Sequence, residues 1–140
     1  MGLLKHAILP LFIVIDLALT YTFLLSEDLT ALAPFFDRDL TKLPATDIER
    51  HLMHVVGGAC LLLAVNNTAA IAVENSHYRG MAVLLHTICF GIDAYSYVSL
   101  GKSVPVPPLA LVIVGVVGLV VHSMEPGIFT RDKEGGKKRK

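Results

Sequence analysis

The stretch RHLMHVVGGACLLLAVNNTAAIAVENSHYRGMAVLLHTICFGIDAYSYVSLG, residues 50 to 101, decides the fold. After Arg50 the chain runs largely apolar from His51 to Val73, breaks at Glu74-Asn75-Ser76-His77-Tyr78-Arg79, and runs apolar again from Met81 to Leu100. The two runs hold 23 and 20 residues. At about 1.5 Å per residue, each can cross a hydrocarbon layer of roughly 30 Å. The link between them is too short to form a domain, so the pattern predicts a transmembrane hairpin of two antiparallel helices lying side by side.

Two further apolar runs flank this hairpin. Residues 6 to 25 (His6 to Leu25) form a first span with Pro10 near its start, where a helix tolerates proline, and Asp16 near its middle. Ala31-Leu32-Ala33 resembles a signal-peptide cleavage site. Against cleavage, the apolar run is longer than a usual signal core of roughly 7 to 15 residues, and Pro34 would follow the cut directly. A last span enters at Pro107-Pro108, which suit a first helical turn, and ends near Met124, where Glu125-Pro126-Gly127 stops it. Within it Gly115 and Gly118, among Val112, Val116 and Val120, point to close helix contact. Thr46 or Asp47 is placed to cap the second helix. The expected fold is all-α, an integral membrane four-helix bundle with short loops, occupying residues 1–125, followed by a basic cytosolic tail over 126–140.

Composition agrees. Apolar residues make up 54% of the chain and the mean hydropathy is +0.62, above the roughly 45–50% apolar share of soluble domains. The formal net charge is zero, which excludes the basic surface that a nucleic-acid partner requires. Cys60 and Cys89 form no CxxC pair and are expected as buried free thiols. No HExxH, glycine-rich phosphate loop or Ser-His-Asp grouping is present. No cofactor and no metal is expected.

Charge sets the orientation. The connection over residues 26–50, where Phe35-Phe36 could rest at the membrane interface, carries six acids against three bases, while the tail from Glu125 to Lys140 carries six bases against three acids. Positive charge beside a span favours the cytoplasmic side, so both termini are expected in the cytosol and the first loop in the lumen, although Lys102 then falls on the lumenal side. Lys137 and Lys138 stand four and three places from the C-terminus, resembling the dilysine signal that retrieves membrane proteins to the endoplasmic reticulum. The endoplasmic reticulum membrane is therefore the expected location, with a mitochondrial membrane as the alternative.

Seven polar residues fall within or at the edges of the spans: Asp16, His51, His54, Asn66, Asn67, His86 and Asp93. Counting from the cytoplasmic ends at about 1.5 Å per residue puts Asp16 roughly 15 Å deep and Asp93 roughly 18 Å deep, in one layer near the midplane. Ionisable groups there face the bundle interior, find partners and serve a function. Either the acids are neutral and hydrogen-bonded to pack helices, or they relay protons or touch a ligand. His86, Cys89, Asp93 and Tyr97 follow helical spacing on one face. His86 also lies at about the depth of Asn66 and Asn67 on the second helix, so a His–Asn hydrogen bond between neighbouring helices is expected. Asn66-Asn67-Thr68 matches a glycosylation sequon, but inside a membrane it is out of reach of that chemistry. Haem ligation between His86 and His51 or His54 is forbidden by an axial offset of roughly 15–20 Å. His6, His86 and His122 form a weaker grouping.

The layout resembles the ergosterol biosynthetic protein 28 family of small endoplasmic reticulum membrane proteins. The resemblance rests on chain length, four spans, Arg50 at the start of the second helix, the Asn75 to Tyr78 link and the lysine-rich end. The chain departs from that family's aromatic-rich second helix and His-x-x-x-Glu third helix with Val55-Val56-Gly57-Gly58 and Asp93-Ala94-Tyr95. Arg50 to Ala64 and Gly91 to Gly101 also look similar to DoxX-like four-helix membrane proteins. The first resemblance implies a non-catalytic scaffold that tethers membrane enzymes of sterol biosynthesis, with membrane lipid and other membrane proteins as partners. The alternatives are an enzyme or carrier using Asp16, His86 and Asp93 on a lipid or quinone, and an accessory subunit or chaperone of a larger membrane complex.

Overall fold

A computed structural model describes residues 2–26, 30, 46–73 and 75–124. Among these residues the chain is all-α, with no strand. Four helices are each long and apolar enough to cross a membrane: Leu4–Leu24, Asp47–Ala72, Ser76–Ser99 and Val106–Ser123. The protein is thus a multi-pass membrane protein, as the apolar runs predict. The possible cleavage site, Phe35-Phe36 and the tail with Lys137 and Lys138 lie outside the described residues.

The first span opens with a π turn, Leu4–Ile8, which leads without a break into α1, Leu9–Leu24. Pro10 explains it. Proline has no N–H to bond the His6 carbonyl, and its ring crowds that carbonyl. The turn widens, and Leu9 N–H reaches back five residues to Leu4 O.

Helix α2, Asp47–Ala72, starts with a reciprocal cap. Glu49 N–H donates to Thr46 Oγ1 at 3.2 Å and Thr46 N–H to Glu49 Oε2 at 3.1 Å, so Thr46 rather than Asp47 caps the helix. Helix α3 spans Ser76–Ser99, beginning five residues before the apolar run at Met81. The polar link residues are absorbed into its first turns. Tyr78 N–H bonds Asn75 Oδ1, the Tyr78 hydroxyl donates to Asn66 Oδ1 at 2.9 Å, and the Arg79 guanidinium donates to the Ala70 and Val73 carbonyls. Those two carbonyls end α2 and have no intrahelical donor. At the far end of α3, Gly101 adopts φ +69°, a left-handed conformation that suits glycine. Helix α4, Val106–Ser123, follows, with Pro107 and Pro108 in its first turn.

The tightest packing pairs α1 with α2 and α3 with α4, while α2 and α3 touch more sparsely and the π turn leans on both α3 and α4. The hairpin of residues 50–101 is therefore joined by its link but is not the closest helix pair. Glycines set the close approaches. A Cβ on Gly57 would lie 2.9 Å from Phe23 Cβ, one on Gly115 would overlap the Thr87 hydroxyl, and one on Gly118 would overlap Ile8 Cδ1. Gly115 and Gly118 thus serve the contacts their spacing suggested. The main apolar core joins all four spans through Leu4, Ile8, Leu9, Phe12, Ala70, Ala82, Val83 and Leu111. A smaller one gathers Leu19, Phe23 and Cys60.

Candidate functional site: a sealed polar cluster

One residue from each of three helices meets at the centre of this packing: Asp16 of α1, Asn67 of α2 and His86 of α3, all 0% exposed. Asn67 Nδ2 lies 3.2 Å from Asp16 Oδ2 and 3.2 Å from His86 Nδ1, and His86 Nδ1 lies 3.5 Å from Asp16 Oδ2. The three atoms form a nearly equilateral triangle. Thr20 sits a turn above Asp16, its hydroxyl donating to the Asp16 backbone carbonyl at 2.7 Å and facing Gly57 O at 3.4 Å.

Aromatic rings close the cluster off. The His86 imidazole stacks on Phe12, centroids 3.9 Å apart and planes 6° from parallel, with Phe90 tilted 4.9 Å away on α3. Three buried polar atoms remain without a protein partner: Asp16 Oδ1, Asn67 Oδ1 and His86 Nε2. Buried polar groups are nearly always hydrogen-bonded, so three such atoms in one cluster mark it as more than filler.

The structure places the other singled-out residues elsewhere. The His86–Asn contact expected from depth is present, and it selects Asn67, because Asn66 is taken by the Tyr78 hydroxyl. Asp93 does not share the layer of Asp16. It lies seven residues, about 10 Å, further along α3 than His86, half-buried and with no hydrogen-bond partner among the described residues. The depth count misplaced it because α3 starts at Ser76, not Met81, which moves every residue of that helix about 7.5 Å deeper. The spacing that put His86, Cys89, Asp93 and Tyr97 on one face also splits: Ala82, Val83, His86 and Thr87 turn inward, whereas Cys89 is exposed. Only Cys60 is a buried thiol. His51 and His54 are exposed near the start of α2, and His6 is exposed at the start of the first span. His122 faces Ser76 O at 3.1 Å, so His6, His86 and His122 do not gather. Among the described residues no group of three or more His, Cys, Asp or Glu side chains is placed to hold a metal.

Beside the cluster, α1 and α2 enclose an apolar groove of about 360 Å³, lined by Ile13, Leu17, Leu61, Ala64, Val65, Thr68, Ala69 and Ala72. Ile13 and Leu17 flank Asp16, and Ala64 and Thr68 flank Asn67, yet neither polar residue reaches the groove. Sequence reasoning had no signal for this groove, since its walls are ordinary lipid-compatible residues.

Fold and cluster together define a small four-helix membrane protein in which three intramembrane polar residues, Asp16, Asn67 and His86, meet in the interior. No family model, curated protein or solved structure matches the chain.

Proposed function

We propose that this protein is a non-catalytic scaffold of the endoplasmic reticulum membrane, holding membrane-bound enzymes together through its helix faces. The observation that carries this reading is the sealed cluster. Asp16, Asn67 and His86 are spent on one another at 0% exposure and tie three helices together. Outward the helices present apolar side chains such as Leu62, Val65, Ile88, Ile92, Ile113 and Val117. Interiors closed by polar contacts and exteriors rich in apolar surface suit a protein that binds other membrane proteins and lipid. Sterol-processing enzymes as the partners rest on the resemblance in layout, and the endoplasmic reticulum on Lys137 and Lys138. Affinity purification in mild detergent followed by mass spectrometry tests it. Sterol enzymes among the recovered proteins are the expected result, whereas respiratory-chain subunits would point instead to an accessory role in a larger complex.

A second reading is favoured by one distance. Asp16 Oδ2 stands 3.5 Å from His86 Nδ1 while Nε2 has no partner, the arrangement in which a carboxylate orients an imidazole to act at its other nitrogen. This supports an enzyme or carrier acting on a lipid or quinone. Asp16→Asn and Asp93→Asn decide between the two. Loss of a general acid or base costs on the order of 10² to 10⁴ in rate, so loss of complementation with protein level and partners intact would overturn the scaffold. The scaffold reading expects complementation to survive at matched expression.

A further inference from the structure

The triangle of Asp16 Oδ2, Asn67 Nδ2 and His86 Nδ1 admits only certain placements of hydrogen. Its sides are 3.2, 3.2 and 3.5 Å. In one placement the Asn67 amide donates both hydrogens, to Asp16 Oδ2 and to His86 Nδ1. Asp16 is then a carboxylate, because a hydrogen on its Oδ1 would have no acceptor, and the imidazole hydrogen is on Nε2. In a second placement the amide is turned over, so that Asn67 Oδ1 occupies the shared corner. It accepts from a protonated Asp16 and from His86 Nδ1–H, leaving Nε2 as an acceptor.

Both placements make two hydrogen bonds. An Asp16 carboxylate paired with a doubly protonated His86 leaves Asn67 with one bond instead of two, because it then meets one like partner whichever way it faces, and the direct Nδ1 to Oδ2 contact is the longest side of the triangle at 3.5 Å. Its NH₂ would abut the Nδ1–H donor, and its oxygen would abut the carboxylate.

We propose that Asp16, Asn67 and His86 form a proton-binding site within the membrane domain, in which the Asn67 amide turns over as the proton is taken up. The two states differ by one proton, exchanged with the aqueous side, and by which imidazole nitrogen carries hydrogen. No oxidation or group transfer is involved. The unpartnered atoms at the cluster are what such a site requires. A cluster built only for packing would favour one placement by satisfying every atom, whereas here each placement leaves Asp16 Oδ1, the outer atom of the Asn67 amide and His86 Nε2 unbonded.

The surrounding elements leave the exchange to these residues. The buried titratable group of α1 is Asp16, and that of α3 is His86. Cys60 of α2 and Cys89 of α3 lie within electrostatic reach of Asp16. The π turn contributes Leu4 and Ile8, and α4 contributes Leu111, Gly115 and Gly118. No cationic side chain is among the groups acting on Asp16.

The test is a titration of the full chain in lipid nanodiscs. Infrared difference spectra with isotope-labelled aspartate read the Asp16 carboxyl, and nitrogen-15 solid-state NMR reads the two nitrogens of His86 and the Asn67 amide, over about pH 4 to 9. The expected result is that one buried carboxylic acid band disappears as His86 Nδ1 loses its hydrogen, at one common midpoint, and that both changes vanish in Asp16→Asn. A carboxyl band and imidazole tautomer that stay constant over the range in the wild-type chain would overturn the proposal, with or without a folded variant. So would an Asp16 and a His86 that titrate at separate midpoints.

Discussion

Gly115 of α4 lies against Thr87 of α3 so closely that Gly115→Ala has a worked consequence. A methyl there overlaps the Thr87 hydroxyl and comes within 3.0 Å of Thr87 Cβ and 3.1 Å of Cγ2. Swinging the threonine away breaks the bond that its hydroxyl donates to Val83 O at 2.7 Å, and a β-branched side chain has few other rotamers in a helix. The helices must part. Overpacking of this kind costs about 1–3 kcal/mol, against a gain of about 1 kcal/mol from replacing glycine in a helix. A net loss of about 0–2 kcal/mol is expected. Adding Thr87→Ala removes the hydroxyl and Cγ2 while leaving Cβ, so the double variant recovers part of the loss, with a coupling of about 1 kcal/mol. Gly58→Ala and Gly91→Ala are the controls. Nothing lies within 4 Å of a Cβ at either position, so each is expected to be neutral or slightly stabilising. Thermal unfolding in mild detergent, followed by circular dichroism and by thiol labelling of buried Cys60, reads all six proteins, the Thr87→Ala single variant among them. A Gly115→Ala chain as stable as Gly58→Ala, without coupling to Thr87, would refute the close contact.

Three further outcomes are expected. A glycosylation sequon engineered near Asp39 should be modified in microsomes and one after Arg131 should not; modification of the tail, or cleavage after Ala33, would contradict cytosolic termini. Replacing Lys137 and Lys138 by Ser should let a tagged protein reach later compartments, and an unchanged distribution counts against retrieval. Thr46→Ala removes the hydroxyl arm of the α2 cap, leaving the backbone N–H that donates to Glu49, and should lower stability by about 1 kcal/mol in the same unfolding assay; no change would mean that the hydroxyl bond contributes nothing in the membrane protein.

The spans were legible because twenty-residue apolar runs have few other uses, and the Thr46 cap and the Gly115 and Gly118 contacts because their spacing has a direct steric or hydrogen-bonding meaning. The start of α3 was not. Hydropathy reads Ser76, His77, Tyr78 and Arg79 as a link, whereas their polar atoms fold back onto Asn66 and the final carbonyls of α2, so the helix continues through them. That one displaced origin carried Asp93 into the wrong layer and hid the match between Asp16 and His86. Cys89 failed differently: helical spacing fixes a face only to within about 60°, and the difference between buried His86 and exposed Cys89 lies inside that width.

The cluster also has a consequence for the order in which the chain is made. Asp16 leaves the ribosome 51 residues ahead of Asn67 and further still ahead of His86, so the first span must settle in lipid carrying a carboxyl whose partners have not yet been synthesised. An aspartate at a helix centre costs about 2.5–3.5 kcal/mol on insertion, and each Leu, Ile, Val or Phe returns about 0.3–0.6. Leu4–Leu24 holds twelve such residues, worth about 4–7 kcal/mol together. The first helix can therefore enter the bilayer alone and wait, and the arrival of the third helix completes the polar cluster.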